Sequence, residues 1–259
     1  MAFFFLPVDV VKIMITDIWF YLAAIPAVFF YGMGKGGVGG ILGMLSVPLM
    51  AMSVSPVQAA AILLPLLCGM DLMALFYHRK NCNYAELKVM MPFAVLGVMV
   101  AAYFMGSLPT HIVELMIGGL ALSFLAQKLL LQQTGTPNLI KGYALNLLSG
   151  FSSTIAHAGG PPASMYLLPK KLPKEQLIGT SVVFFAGLNF VKLVPYSYMG
   201  QLDTQNLLTS LVLVPIAFLG VRTGVWLVNI ISQDMIYKIS YSVLFITAIK
   251  MLYSGITTL

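Results

Sequence analysis

Ten apolar stretches follow one another along this chain of 259 residues, and most of the charged residues lie between them or at their ends. The stretches fall near 17 to 34, 37 to 52, 56 to 78, 84 to 105, 110 to 131, 138 to 156, 159 to 169, 174 to 197, 205 to 229 and 234 to 256. A full α-helical crossing of a bilayer needs about 20 apolar residues. Most of the stretches supply that length, and those beginning at 37 and 159 do not. The chain is 59% hydrophobic and 8% charged, about a third of the charged fraction of a soluble domain. The expectation is an all-α polytopic membrane protein.

That setting decides how "YGMGKGGVGGILG" at 31 to 43 is read. Gly34, Gly36 and Gly39 fit the G-x-G-x-x-G pattern of a dinucleotide loop. Such a loop needs a preceding strand, a following helix and an acidic ribose ligand about 20 residues on. The flanks here are apolar, and "PVQAAAILL" occupies the ligand's place. The N-terminal "MAFFFLPVDVVK" lacks the basic start and small-residue cleavage site of a signal peptide, so it is expected to be retained. Cys68 and Cys82 give neither a disulfide framework nor a metal-binding spacing, and both read as inert. No metal, cofactor or nucleic-acid partner is expected: the excess of Lys and Arg is informative through its positions, not its sum.

The stretches form two groups of five, 17–132 and 138–256, separated by the polar "QQTGTPN" at 132 to 138. "PFAVLGV" at 92 to 98 and "PIAFLGV" at 215 to 221 share five of seven residues at an offset of 123. Gly39 and Gly40 match Gly159 and Gly160 at an offset of 120, while Asp71 with Asn189 and Gln58 with Gln176 are offset by 118. The chain reads as a tandem repeat. An odd number of crossings per repeat sets the second repeat upside down relative to the first, the arrangement of many secondary transporters.

Ten crossings put the loops near 79 to 88, 132 to 138, 170 to 174 and 230 to 234 on one face. With their helix ends these carry Arg79, Lys80, Lys88, Lys128, Lys141, Lys170, Lys171, Lys174 and Lys238. The opposite loops, near 53, 107 and 200, contain no Lys or Arg and include Asp203. The positive-inside rule makes the first face cytoplasmic and places both termini outside. A hairpin that dips to mid-membrane and returns, in place of the first two stretches of each repeat, gives the same parity. Charge does not separate the two arrangements.

In either arrangement the glycine runs join the first two stretches of each repeat. Irregular backbone at membrane depth must be buried in protein or line a wet cavity. Helix N-termini that face such a cavity attract an anion through free N–H groups and the positive end of the dipole. "GKGGVGG" begins the second stretch and "HAGGPP" the seventh, with Pro161 and Pro162 where a helix would start. The competing role for these glycines is close helix packing.

Four blocks in order, "GKGGVGGILGMLSVPLMAMSVSPVQAAA", "HAGGPPASMYLLPKKLPKEQLIGT", "LNFVKLVPYSYMGQLD" and the paired "PxAxLGV" helices, resemble the sulfite exporter TauE/SafE family of anion transporters. The similarity spans both repeats. It implies a ten-segment inverted-repeat protein moving small sulfur-containing anions such as sulfite, thiosulfate or organosulfonates. The family's glycine-run positions match Gly36, Gly37, Gly39 and Gly40, and Gly159 and Gly160. The first run departs from the simplest GxGGG form through Lys35 and Val38.

Polar residues inside apolar stretches cost about 2.5–3.5 kcal/mol each at the bilayer centre on insertion scales, so each is a functional candidate. Lys35 at the first break either pairs with an anion or snorkels to the interface. His157 beside the second break either donates to a sulfonate oxygen or serves as a structural hydrogen-bonder. Asn189 and Lys192, at i and i+3 in "GLNFVKL", share a helix face and suit an anion or an inter-helix clamp. Asp71 would repel an anion; it reads as a coupling group for H+ or Na+, or as the partner of a buried cation such as Lys192 or Arg222. Gln58 and Gln176 lie near stretch starts, where they cap or pack.

"SGFSSTIAH" at 149 to 157 invites an intramembrane serine hydrolase reading, with Ser153 and His157 at i and i+4. A dyad also needs an oxyanion hole and an oriented base, and the repeat is left without a role. A non-transporting assembly factor is the other alternative. The resulting expectation is a secondary transporter of a small anion in the inner membrane. Its site lies between the repeats, and its driving force is an ion gradient, the membrane potential or the substrate gradient, since the chain has no ATP-binding motif.

Overall fold

The structure is a computed structural model that describes residues 14–38, 41–105, 108–130, 138–227 and 233–258. The N-terminal stretch 1–13, Gly39, Gly40 and residues 131–137 lie outside the described residues. Among those described there is helix and turn but no strand, in line with the all-α expectation. α1 (Ile18–Met33) runs into a π-helical turn (Gly34–Val38), followed by two short helices, α2 (Ile41–Met44) and α3 (Ser46–Met50). α4 (Pro56–His78), α5 (Tyr84–Met105) and α6 (Thr110–Leu130) complete the first half. The second half holds α7 (Leu139–Ala156), α8 (Gly160–Leu167) with a 3₁₀ turn (Leu168–Lys170), α9 (Lys174–Tyr198), α10 (Thr204–Leu227) and α11 (Gln233–Thr257).

Short polar side chains set the helix starts. Asp17 accepts a hydrogen bond from Trp19 N, Ser55 from Gln58 N, Asn138 from Lys141 N and Asp203 from Asn206 N. Each thereby satisfies an N–H that the first helical turn leaves without an intrahelical acceptor. The second apolar stretch is broken into short pieces instead of one helix. α8 has eight residues, about 12 Å at 1.5 Å per residue and well under the ~30 Å hydrocarbon thickness.

Among the described residues, five segments are long and apolar enough to cross a membrane: Ile18–Gly36, Pro56–Phe76, Tyr84–Met105, Glu175–Tyr198 and Thr204–Leu227. Their outward faces are apolar, with Leu96, Val194 and Leu211 exposed. Exposed Trp and Tyr residues gather towards helix ends: Trp19 on α1, Tyr84 and Tyr103 on α5, Tyr198 on α9, Trp226 on α10 and Tyr253 on α11. Aromatic girdles of this kind sit at the two lipid–water boundaries. In water the same surface would be one large apolar patch. The chain is therefore a multi-pass membrane protein.

α5 packs on α7, α10 on α1, α4 on α9 and α6 on α11; α9 also meets α5, and α10 meets α4. α4 carries the centre of the core, with Ile62, Leu63, Leu64 and Leu67 wholly buried. Glycine sets the closest helix contacts, as expected where lipid supplies no hydrophobic drive between helices. A Cβ on Gly97 of α5 would lie 2.0 Å from Leu147 O of α7, and one on Gly150 of α7 would lie 1.8 Å from Ala94 O. At the α10 and α1 contact, a Cβ on Gly220 would lie 2.4 Å from Phe29 O and one on Gly32 would lie 2.6 Å from Ala217 O. A methyl group at any of these positions would force the facing backbones away from each other.

Candidate functional site

Polar chemistry is concentrated where the π-helical turn, the middle of α4, the end of α7 and the middle of α9 meet. Asp71 on α4 is completely buried. One of its oxygens is paired with Lys35 Nζ from the π-helical turn, and the other accepts from Asn189 Nδ2 on α9. The cation that meets Asp71 is thus Lys35, and neither Lys192 nor Arg222. Lys35 also lies over the Phe185 ring, its Nζ 6.0 Å from the centroid.

Lys192 is also completely buried. Its ammonium bonds Ser153 O at 3.0 Å, Ser153 Oγ at 3.2 Å and His157 Nδ1 at 2.8 Å. All three are neutral acceptors. Among the described residues no carboxylate lies within salt-bridge distance of it; the ion pairs are Lys35 with Asp71 and Lys170 with Glu86. The end of α7 supplies partial compensation, since helix C-terminal carbonyls carry the negative end of the dipole. A protonated Lys192 has no counter-charge at this place, and in a low-dielectric interior such an ion costs several kcal/mol.

The partners of His157 fix its tautomer. Its Nε2 lies 2.9 Å from Ala60 O, a pure acceptor, while its Nδ1 faces the ammonium of Lys192, a pure donor. The ring is therefore neutral, with its proton on Nε2. Both nitrogens are engaged, so in this conformation His157 orients Lys192 and has no free N–H. Residue 157 ends α7 in the left-handed conformation, φ 50°, with Ala158 N donating back to Ser152 O. Tyr31, one turn before Lys35, donates to His157 O at 3.4 Å and packs its ring edge-on against the imidazole.

The glycines divide. Gly159 is tightly enclosed: its carbonyl accepts from Ser149 Oγ at 2.7 Å, and an added Cβ would lie 2.8 Å from Ser153 Cβ. At Gly160 an added Cβ would meet nothing within 4 Å. Pro161 and Pro162 carry no N–H, so Gly159 and Gly160 are the donors at the start of α8, and neither donates to the backbone of a described residue. Gly36 has a packing role, since its Cβ would lie 2.4 Å from Val221 O of α10. Gly37 lies in the π-helical turn, and Gly39 and Gly40 are outside the described residues.

The rival chemistry finds no geometry here. Ser152 Oγ bonds Leu148 O, Ser153 Oγ faces Lys192, and neither bonds His157. No group of His, Cys, Asp and Glu among the described residues is arranged to hold a metal ion. Both cysteines are free, and burial pushes the Cys82 thiol up against a smaller opposing hydrogen bond with Thr180, which lowers its thiolate fraction.

Sequence reasoning missed Ser153 as a partner of Lys192, and it missed Tyr31 and Phe185. Ser153 was legible only as one helical turn before His157. Tyr31 and Phe185 sit among apolar neighbours and carry no signal of their own.

A family model described as sulfite exporter TauE/SafE matches residues 24–251, nearly the whole chain. No curated protein and no solved structure matches it.

Proposed function

Because the chain belongs to the sulfite exporter TauE/SafE family, which comprises membrane transporters and not enzymes, we propose that it is a secondary transporter of a small sulfur-containing anion such as sulfite, thiosulfate or an organosulfonate. The observation that carries this reading is a buried cluster that holds two lysines, Lys35 and Lys192, and one carboxylate, Asp71, already paired with Lys35. A small anion beside Lys192 supplies the missing counter-charge. Gly159 N and Gly160 N at the start of α8 add donors and the positive end of a helix dipole. Asn189 adds an amide on the same face of α9, and His157 holds Lys192 in place. By the sequence match between the two glycine runs, Lys35, Gly36, Gly37, Gly39 and Gly40 are assigned to the first-repeat side of the same site, with Gly36 also packing on α10.

We assign the frame to two inverted repeats, 17–132 and 138–256. Support comes from the helix contacts. Exchanging α1 with α7, α4 with α9, α5 with α10 and α6 with α11 turns the α5–α7 contact into the α10–α1 contact and the α9–α5 contact into the α4–α10 contact. It returns the α4–α9 and α6–α11 contacts to themselves, as a two-fold axis requires. The glycine pair Gly97 and Gly150 goes over into Gly220 and Gly32. Asp71 and Asn189, mates at an offset of 118, bond each other on the self-paired helices.

The Lys-rich loops argue for an inner-membrane protein with that face in the cytoplasm and both termini outside. Cysteines at positions 80 and 171 are expected to react with an impermeant reagent from the cytoplasmic side alone, and one at 203 from the outside alone. Labelling of 80 and 171 from opposite faces would contradict the inversion.

Asp71 is the group we assign to coupling. Its protonation would release the ammonium of Lys35 towards the anion, so that proton and anion move together. The reading as a whole is tested by radiolabelled sulfite counterflow in proteoliposomes. The expected result is saturable exchange inhibited by thiosulfate or sulfonates, with no peptide cleavage. Absence of flux for every sulfur anion in a well-inserted protein would overturn it.

A further inference from the structure

Among the described residues, two other than glycine adopt the left-handed backbone conformation, His157 at φ 50° and Lys171 at φ 51°. An L-residue other than Asn or Asp pays a steric cost there, because its Cβ crowds the following carbonyl. The two residues bracket one segment, α8 with its 3₁₀ turn. That segment is set off from α7 and α9 by a left-handed residue at each end, and terminal positions of this kind absorb the dihedral change when an element swings.

One end of the segment, Gly159, touches Ser149 and Ser153 beside Lys192. The other end is tied across to the first turn of α5. Tyr166 Oη donates to Glu86 at 2.6 Å, Lys170 Nζ bonds the second Glu86 oxygen at 3.1 Å, and the same ammonium stands 4.9 Å from the Tyr166 ring centroid. Beneath the segment, α7 presents Gly142, Asn146, Ser149 and Ser153, which fall within about 60° of one another at 3.6 residues per turn. All four are buried. The Tyr166 ring covers Gly142, where an added Cβ would lie 2.8 Å from it. Asn146 donates to Gly142 O, and its own buried carbonyl oxygen has no hydrogen-bond partner among the described residues. Small and polar residues also line dry helix seams in membranes; what close packing does not account for is the orphaned acceptor, which is costly unless water or a passing polar group reaches it.

We propose that the seam between α7 and α8 is the route of the anion from the Lys192 site to the Lys-rich face. α8 is the gate on this route, latched shut here by Glu86. The inference rests on the anion-transport reading above. Opening the latch moves Tyr166 off Gly142, one turn from Asn146, and frees the Lys170 ammonium at the mouth, where it meets the anion.

The test uses full-length protein in inverted membrane vesicles, with Cys68 and Cys82 replaced by Ser and a reporter Ser149→Cys. An impermeant maleimide is added at the Lys-rich face. With the latch intact, labelling is expected to be slow; with Glu86→Gln or with Tyr166→Phe it should quicken at least tenfold. A control reporter, Ser210→Cys, sits at the α4–α10 seam, where Ser210 bonds Ile62 O, and should keep its rate. An unchanged rate at position 149 in latch variants that keep the parent melting temperature overturns the proposal. So does equal acceleration at 210, which would signify general loosening. Should Glu86→Gln fail to insert, Tyr166→Phe, which removes one hydroxyl, carries the test alone. Labelling needs no transport, so a latch that responds in a protein without flux of any sulfur anion would refute the anion reading and leave the gate standing.

Discussion

Asp71→Ala is expected to cost the folded protein about 3–5 kcal/mol, the range for removing one partner of a buried ion pair. The substitution strands the Lys35 ammonium, which is only 15% exposed, and removes the acceptor of Asn189 Nδ2. The loss comes from the unpaired charge more than from the missing contact, and that makes it separable. Lys35→Met combined with Asp71→Leu removes both charges and fills the space with apolar side chains. This double variant should recover most of the loss, since a buried pair replaced by well-packed hydrophobic groups is often neutral or stabilising, and fall short only by the cost of leaving Asn189 Nδ2 without its acceptor. Unfolding in mixed micelles measures all three proteins. Equal destabilisation of the single and double variants would mean that Lys35 and Asp71 do not act as a pair. The double variant is also expected to lose uphill sulfite flux driven by a pH gradient, because it lacks the group assigned to coupling.

The all-helical membrane character was legible because membrane helices are written in long apolar runs. Every apolar stretch carries helix, and the two too short to cross became α2 with α3 and α8. What a run of side chains does not disclose is which distant element a polar group will meet. Lys35 and Asp71 lie 36 residues apart, and nothing local distinguishes that pairing from one between Asp71 and Lys192. His157 read either as a donor to the anion or as a structural hydrogen-bonder, and the sequence did not separate the two. Its left-handed turn, which swings the ring between Ala60 and Lys192, depends on how α7 is held by its neighbours and has no sequence signature outside glycine and asparagine. The glycine runs were ambiguous for the opposite reason, since close packing and ligand access both call for the smallest side chain. Gly36 proves to be in contact with the α10 backbone and Gly160 to face open space, and two glycines of similar context differ only through what stands opposite.

The central position of Lys192 leads to the second large effect. Replacing it by Gln keeps a hydrogen-bond donor of similar reach and removes the charge. Loss of one partner from a fully buried, charge-assisted contact costs about 2–5 kcal/mol of binding, roughly 30-fold to several thousand-fold in affinity. Stability should fall little or even rise, because the ammonium has no counter-ion among the described residues and its burial is a cost in the unliganded protein. That opposition is diagnostic. A lysine that served only to cap the end of α7 would lower stability on replacement and leave affinity alone. His157→Gln should weaken binding less, since it loosens the hold on Lys192 without removing the charge.

The most direct test is calorimetric titration of sulfite into the purified parent protein and into Lys192→Gln, with the melting temperature of each recorded in the same detergent. Saturable binding to the parent that drops at least 30-fold in a variant of equal or higher melting temperature is the predicted result. Equal affinity in the two proteins would contradict the assignment of Lys192 as the anion's counter-charge.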